Sequence, residues 1–417
     1  MQRIRMSLPY YAKYNWAPVV ICVEEKYIEG YRDPLLLETV QGVEVHRVKA
    51  WPVKITRKFG LGSLSLRSIF YFRKKGNELL RKNNFDLIFF STTMFHVLAL
   101  GRYWKKKFGV PFLVDMQDPW RNDFYLDRPK AVRPPKYRYA YEVHKRMEAW
   151  TMPHADGIMS VSQGYIDVLR DRYPALKEKP AAVIPFGSSE ADFSLARSKK
   201  LAPMIIDRTP EKINVVYIGA LLSQSFMPLL KAFFTAFKNS CKQVSQYHFY
   251  FIGTNYSPHS QVKPIAELAT SLGLQDSITE YPDRIPYFSA LATLIHSDIL
   301  FIPGSIDVDY NASKVFNNII SGRPIFSIFN EKGLVKKIIE SCNAGLVVGI
   351  KGDEDFNGLV CAIEKRMPEF QELHKRKTIL ENRLPVEYLA SHLTGKQADL
   401  FNQVINSWKL KGGNDVS

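Results

Sequence analysis

The sequence predicts an α/β protein built from two parallel-sheet domains. Short apolar runs alternate with stretches of helical period along the chain, the pattern of repeated strand–helix–strand units. At 417 residues the chain exceeds one typical domain and suits two of about 200. A polar, Pro-punctuated stretch near 190–211 separates the halves as a linker would.

Strands are expected near 18–23, 43–49, 86–91, 111–116, 157–161 and 181–186, then near 213–218, 247–252, 278–281, 298–302, 324–329 and 345–350, with helices between them. Residues 386–409 place Leu389, Leu393, Leu400, Phe401, Val404, Ile405 and Trp408 at helical spacing and predict a last helix. The expected domains are 1–205 and 206–385, with a helix over 386–410 and a disordered tail over 411–417.

Charge is uneven. Of a net +16, residues 1–205 hold 35 basic and 20 acidic residues, and the remainder 22 and 21. A basic surface on one half points to a polyanionic partner for that half. Residues 49–82 mix Trp51, Ile55, Phe59, Leu61, Leu64, Ile69, Phe70 and Phe72 with Lys49, Lys54, Arg57, Lys58, Arg67, Arg73, Lys74 and Lys75. That composition suits an anionic membrane surface. It also suits a solvated basic helix with an apolar core side. No nucleic-acid-binding module is visible, so none is expected as partner.

Four scattered cysteines, Cys22, Cys241, Cys342 and Cys361, show no CxxC, and read as reduced core residues of a cytosolic protein. Arg3, Arg5 and Lys13 interrupt any signal-peptide pattern. No stretch has the roughly 18 uncharged apolar residues of a membrane span.

Residues 298–329 read as strand, loop, helix, Gly turn and strand. The run Ile299–Ile302 is expected to stop at Pro303-Gly304, Ser313 to cap a helix opened by Lys314, and Ser321-Gly322 to close it. A helix N-terminus facing the carboxyl ends of parallel strands is a place for phosphorylated ligands, and equally an ordinary crossover connection.

This segment, with Ser297-Asp298, Pro303, Lys314, Phe316, Ser321-Gly322 and Pro324, resembles the donor-site segment of family 4 glycosyltransferases. VDMQDPW at 114–120, IPFGSSEADF at 184–193, VVYIGAL at 215–221, FYFIGTN at 249–255 and AGLVV at 344–348 extend the resemblance over nearly the whole chain. It implies a retaining enzyme of GT-B fold: two Rossmann-like doubly wound domains facing across a cleft, with the C-terminal helix crossing back to the first. The family usually begins with a strand and a Gly-rich loop before the helix that QRIRMSLPYYAKYNW matches. Met1 stands at that helix here. The first strand of the N-terminal sheet is therefore expected to be missing, through a misplaced start or a damaged copy.

The resemblance assigns donor binding to Gly219, Ser223, Asp309, Ser313, Lys314 and Asn317, and a catalytic role to Asp118. The family carries two glutamates eight residues apart where this chain has Asp309 and Asn317. Asn317 can still hydrogen-bond a diol, without charge. A cation in a helix's first turn is unfavourable, which favours a phosphate partner for Lys314. Gly219 would let a diphosphate approach the backbone. The Arg or Lys that the family usually offers next is absent, because LLSQSFMP at 221–228 holds no cation. Ser223 and Ser225 remain there as polar candidates. Asp118 could accept a hydrogen bond from an acceptor hydroxyl, or cap a helix begun by Pro119. Trp120 reads as core, and His96 and His154 as structural. Asp307 and Asp309 spell DxD by coincidence, so neither metal nor other cofactor is expected.

The expected function is transfer of a sugar from a nucleotide diphosphate-sugar to a glycan or polyprenyl-linked acceptor in surface polysaccharide biosynthesis. The expected location is cytoplasmic, peripheral at the inner face of the membrane. Two alternatives remain: a non-catalytic GT-B partner or scaffold of an active transferase, and a nucleotide-sugar 2-epimerase.

Overall fold

A computed structural model of the chain describes residues 2–28, 33–59, 61–126, 128–130, 133, 137–206, 211–221, 223–255, 262–308, 314–376 and 384–412. The chain divides into two compact units.

The first unit comprises Met1–Glu29, Val40–Phe186 and Ala390–Ser417. Its strands are β1 (Val19–Val23), β2 (Glu44–Val48), β3 (Ile88–Ser91), β4 (Phe112–Met116), β5 (Gly157–Ser160) and β6 (Ala181–Val183). All pair in parallel, as β1-β2 and as β3-β4-β5-β6, and no described strand joins the two sheets. Both sheets nevertheless feed the same two layers. Val20 and Phe89 pack with Leu113 and Phe401, and Ile21 and Phe90 with Trp104 and Trp120.

The C-terminal helix, Ala390–Leu410, completes this unit. Leu393, Leu400, Phe401 and Val404 lie on one face of it and pack on Leu8, Tyr11, Met159 and Ile184. Buried Gln397 fixes the register: it accepts from the Tyr11 hydroxyl at 2.6 Å and donates to Ser7 Oγ at 2.9 Å.

The second unit comprises Gly30–Thr39 and Gly187–Leu389. Its strands are β7 (Ile213–Ile218), β8 (Tyr247–Ile252), β9 (Ile278–Tyr281), β10 (Ile299–Ser305), β11 (Ile325–Asn330) and β12 (Gly345–Ile350). They form one parallel sheet in the order β12-β11-β10-β7-β8-β9. The strands are apolar on both faces because helices cover both. Phe233, from the helix Ser223–Ser240, sits at the centre of the core, its ring centroid 4.4 Å from that of Phe301.

Four expectations need correction. The division falls after Phe186 rather than at 205, because Phe193, Leu195 and Ala196 pack into the core of the second unit. β10 does not stop at Pro303-Gly304 but runs to Ser305, its register against β11 shifting between Ile302 and Ser305; such an irregularity tolerates a proline. No helix begins at Pro119; the next α-helix is Tyr137–Thr151, so Asp118 caps nothing. Of the cysteines, all free, only Cys241 and Cys342 are buried, while Cys361 is exposed.

Candidate functional site

In the second unit the chain winds outward from β7 through β8 to β9, then from β10 through β11 to β12. The direction reverses between β7 and β10, and the carboxyl ends of strands at such a switch point form a ligand crevice. The turn after β7 carries Gly219, and the helix after β10, Lys314–Ser321, opens with Lys314. Pairing of β7 with β10 brings these two together.

Lys314 reaches back over the turn. Its ammonium donates to the Tyr217 hydroxyl at 3.2 Å and to the Ala220 carbonyl at 3.3 Å. Gly219 has a φ of 147°, and a Cβ there would lie 2.0 Å from Lys314 Nζ. Only glycine leaves the ammonium this position. Lys314 is exposed as a residue, yet burial of its ammonium end, with Arg284 adding repulsion, lowers its pKa to about 8. A cation disfavoured in the ligand-free protein is placed to gain from an anion.

Asn317 lies one turn on. Its Oδ1 accepts from Ser188 Oγ at 2.5 Å, so the carboxamide is oriented within its own unit. Ser223 is the first residue of the helix Ser223–Ser240; its side chain lies outside the described residues, as do those of Gln224 and Ser225. Asp309 and Ser313 also lie outside the described residues. Among the described residues no cluster of His, Cys, Asp and Glu could hold a metal ion.

In the first unit Asp118 follows β4 by two residues and is exposed. Partial burial of the carboxyl pushes its pKa up, and its charge acts on the Tyr165 phenol. The segment around it is pinned. Trp120 is 1% exposed and stacks on Phe95, as its reading as core requires. Fully buried Glu148 accepts from the Arg121 amide at 2.8 Å, Arg172 at 3.0 Å and the Tyr173 hydroxyl at 3.0 Å. Asp123 accepts from Arg121 at 2.9 Å, Arg172 at 2.7 Å and Tyr141 at 2.8 Å.

A second buried pair lies nearby in sequence. Arg3, 4% exposed, meets Asp115, 0% exposed, at 3.2 Å. Ser91 and Gln117 each donate to Asp115 Oδ2 at 2.6 Å. Burial pushes the Asp115 carboxyl up, with Arg3, Ser91 and Gln117 opposing. His96 is buried against Ser65, its Nδ1 2.7 Å from Ser65 Oγ, and His154 is half-buried.

Sequence reasoning missed Tyr217, Arg284, the Glu148–Arg172 pair and Arg3–Asp115. Tyr217 stands inside VVYIGAL and could have been found as the one hydroxyl in that strand. The others are brought together only by the fold.

Over residues 10–187 the chain matches a family described as glycosyl transferase 4-like domain. The match covers less than half of the chain. The match ends at Gly187, one residue past Phe186, where the main segment of the first unit ends. No curated protein matches the chain. A glycosyltransferase from Rickettsia africae is similar over 97% of this chain and 94% of its own, at 12% identity and a TM-score of 0.53. The α,α-trehalose 6-phosphate synthase from Burkholderia multivorans is similar over 85% and 77%, at 12% identity and a TM-score of 0.52. A putative UDP-N-acetylglucosamine 2-epimerase from Listeria monocytogenes is similar over 97% and 94%, at 12% identity and a TM-score of 0.50. The fold is GT-B. A fold that also carries an epimerase fixes neither substrate nor stereochemistry.

Proposed function

We propose that the chain transfers a sugar from a nucleotide diphosphate-sugar, with retention, to a glycan or polyprenyl-linked acceptor in surface polysaccharide biosynthesis. The observation that carries this reading is the Lys314 ammonium held over Gly219 at the switch point of the second unit. A leaving diphosphate needs a preorganised cation and open backbone at one place. Asn317 would hold the ribose hydroxyls. Ser223, Asp309 and Ser313 would complete the donor side, and Asp118 would hydrogen-bond the reacting hydroxyl or sugar. No metal or other cofactor is required by these roles. Ligand-observed NMR against UDP-, GDP-, ADP- and dTDP-sugars tests the reading. One donor should bind and be displaced by its nucleoside diphosphate; no binding by the folded chain would refute it.

The acceptor would be met at the inner face of the cytoplasmic membrane. Trp51, Ile55, Leu61 and Phe70 are exposed beside exposed Lys54, Arg57, Lys58, Arg73 and Lys74, and residues 45–77 hold no acidic residue. Trp51 stacks on Phe70, with the Arg73 guanidinium 5.9 Å from the Phe70 centroid. Each basic residue near an anionic surface contributes about 1 kcal/mol. No described helix is long and apolar enough to cross a membrane. Sedimentation with anionic vesicles should show binding that salt reverses, and its absence would remove the membrane from the proposal.

A second reading, a non-catalytic partner of an active transferase, is favoured by the uncharged Asn317 and by the cation-free loop 221–228. The same NMR panel separates the two.

A further inference from the structure

A diphosphate carries more charge than one lysine offsets, and the turn after β7 supplies no second cation. The next strand over does. β7 and β8 pair in register to their ends, Ile218 opposite Ile252. Gly219 and Gly253 therefore stand side by side at the carboxyl edge, about 4.8 Å apart by strand spacing. Lys314 lies over the first. The turn after β9 lies against the second, where a Cβ on Gly253 would sit 3.7 Å from Arg284 Cα and 3.9 Å from its Cγ. At this edge the buried Glu280 carboxylate is taken up by the Thr254 hydroxyl and the Ile265 and Ala266 amides, and Asp283 precedes Arg284 in the turn. Arg284 is exposed, and its charge acts on the Lys314 ammonium.

We propose that Arg284 is the second cation of the diphosphate site, supplied from the turn after β9 in place of one after β7. Arg284 and Lys314 carry like charges, and an anion bound between them would relieve their repulsion. A guanidinium offers paired donors to phosphate oxygens, while the ammonium acts as a point charge. Entry of the cation from a neighbouring strand leaves the turn after Gly219 free of cations without loss of binding charge. This inference rests on the nucleotide diphosphate reading above.

The test is binding of UDP, GDP, ADP and dTDP, each beside its monophosphate, to the full chain and to Arg284→Gln, Arg284→Lys and Lys314→Gln. Thermal melts confirm that the variants fold. The expected result is one diphosphate bound about tenfold to a hundredfold more weakly by Arg284→Gln, a smaller loss for the monophosphate, and partial recovery in Arg284→Lys. If Arg284→Gln binds the diphosphate as the unchanged chain does while Lys314→Gln loses it, the inference falls and the donor reading stands. If the unchanged chain binds none of the four, both fall.

Discussion

The Glu148 carboxylate and the Arg172 guanidinium meet at 3.0 Å in the first unit, the carboxylate almost wholly out of solvent. They join the helix Tyr137–Thr151 to the helix Gln163–Arg172. The Arg121 amide also ends on Glu148, so the pair fixes the segment that follows Asp118. Glu148→Ala leaves Arg172, Tyr173 and the Arg121 amide short of an acceptor. Removing one partner of a buried pair costs about 3 kcal/mol. The urea transition of the first unit should shift accordingly, and an unmoved midpoint would show that the network does not hold this region.

Lys314 gives a pH dependence with a definite sign. Its pKa is lowered to about 8, so the ammonium is present below that pH and lost above it. Binding of a nucleoside diphosphate should weaken about tenfold between pH 7 and 9.5. Lys314→Arg, which keeps its charge, should flatten the profile. Without ligand the sign reverses: the fold disfavours the charged lysine, so stability should rise from about pH 8 toward the unfolded pKa near 10.4. Titration calorimetry at the two pH values checks the first expectation. An affinity that is equal at both would remove Lys314 from the anion site.

Two glycines of the second unit should answer to alanine differently. At Gly219 the new methyl meets the flexible end of Lys314, so Gly219→Ala should displace the ammonium and weaken nucleotide binding with a modest cost in stability. At Gly304, φ 75°, it meets the Ile328 carbonyl, a backbone atom that cannot yield. Gly304→Ala should therefore destabilise the second unit by about 3 kcal/mol. Circular dichroism melts and nucleotide titrations of both variants would show the contrast, and equal melting losses would contradict it.

Burial and the neighbouring His144 lower the His96 pKa to about 4. The unfolded chain takes up this proton near pH 6.5 and the folded one only near 4. Stability present above pH 6.5 is therefore lost as pH falls through that window, by about 3 kcal/mol at most. His96→Gln should lose less stability than the unchanged chain between pH 7 and 4.5. An identical acid profile would assign the sensitivity elsewhere.

All twelve described strands lie where the sequence pattern predicts them, and most of the second unit's are apolar over their length because that sheet is covered on both faces. Lys314 at the start of its helix was legible for the same local reason, as were Trp120 and the C-terminal helix in the core. The sequence could not show that β10 passes through Pro303 and Gly304 or that Phe193 belongs to the second unit. A bulge and a domain boundary are set by what packs against a segment, which composition does not record.

The sequence by itself determined the α/β class, the strands, the basic first half and a lysine ill-suited to its helix turn. The sheet order decided what that lysine does. Only the pairing of β10 with β7 sets Lys314 over Gly219, and only the pairing of β8 with both β7 and β9 carries Arg284 to the same edge. Local propensity acts over a few residues, whereas a charged site is assembled from turns far apart in the chain and adjacent only across strands.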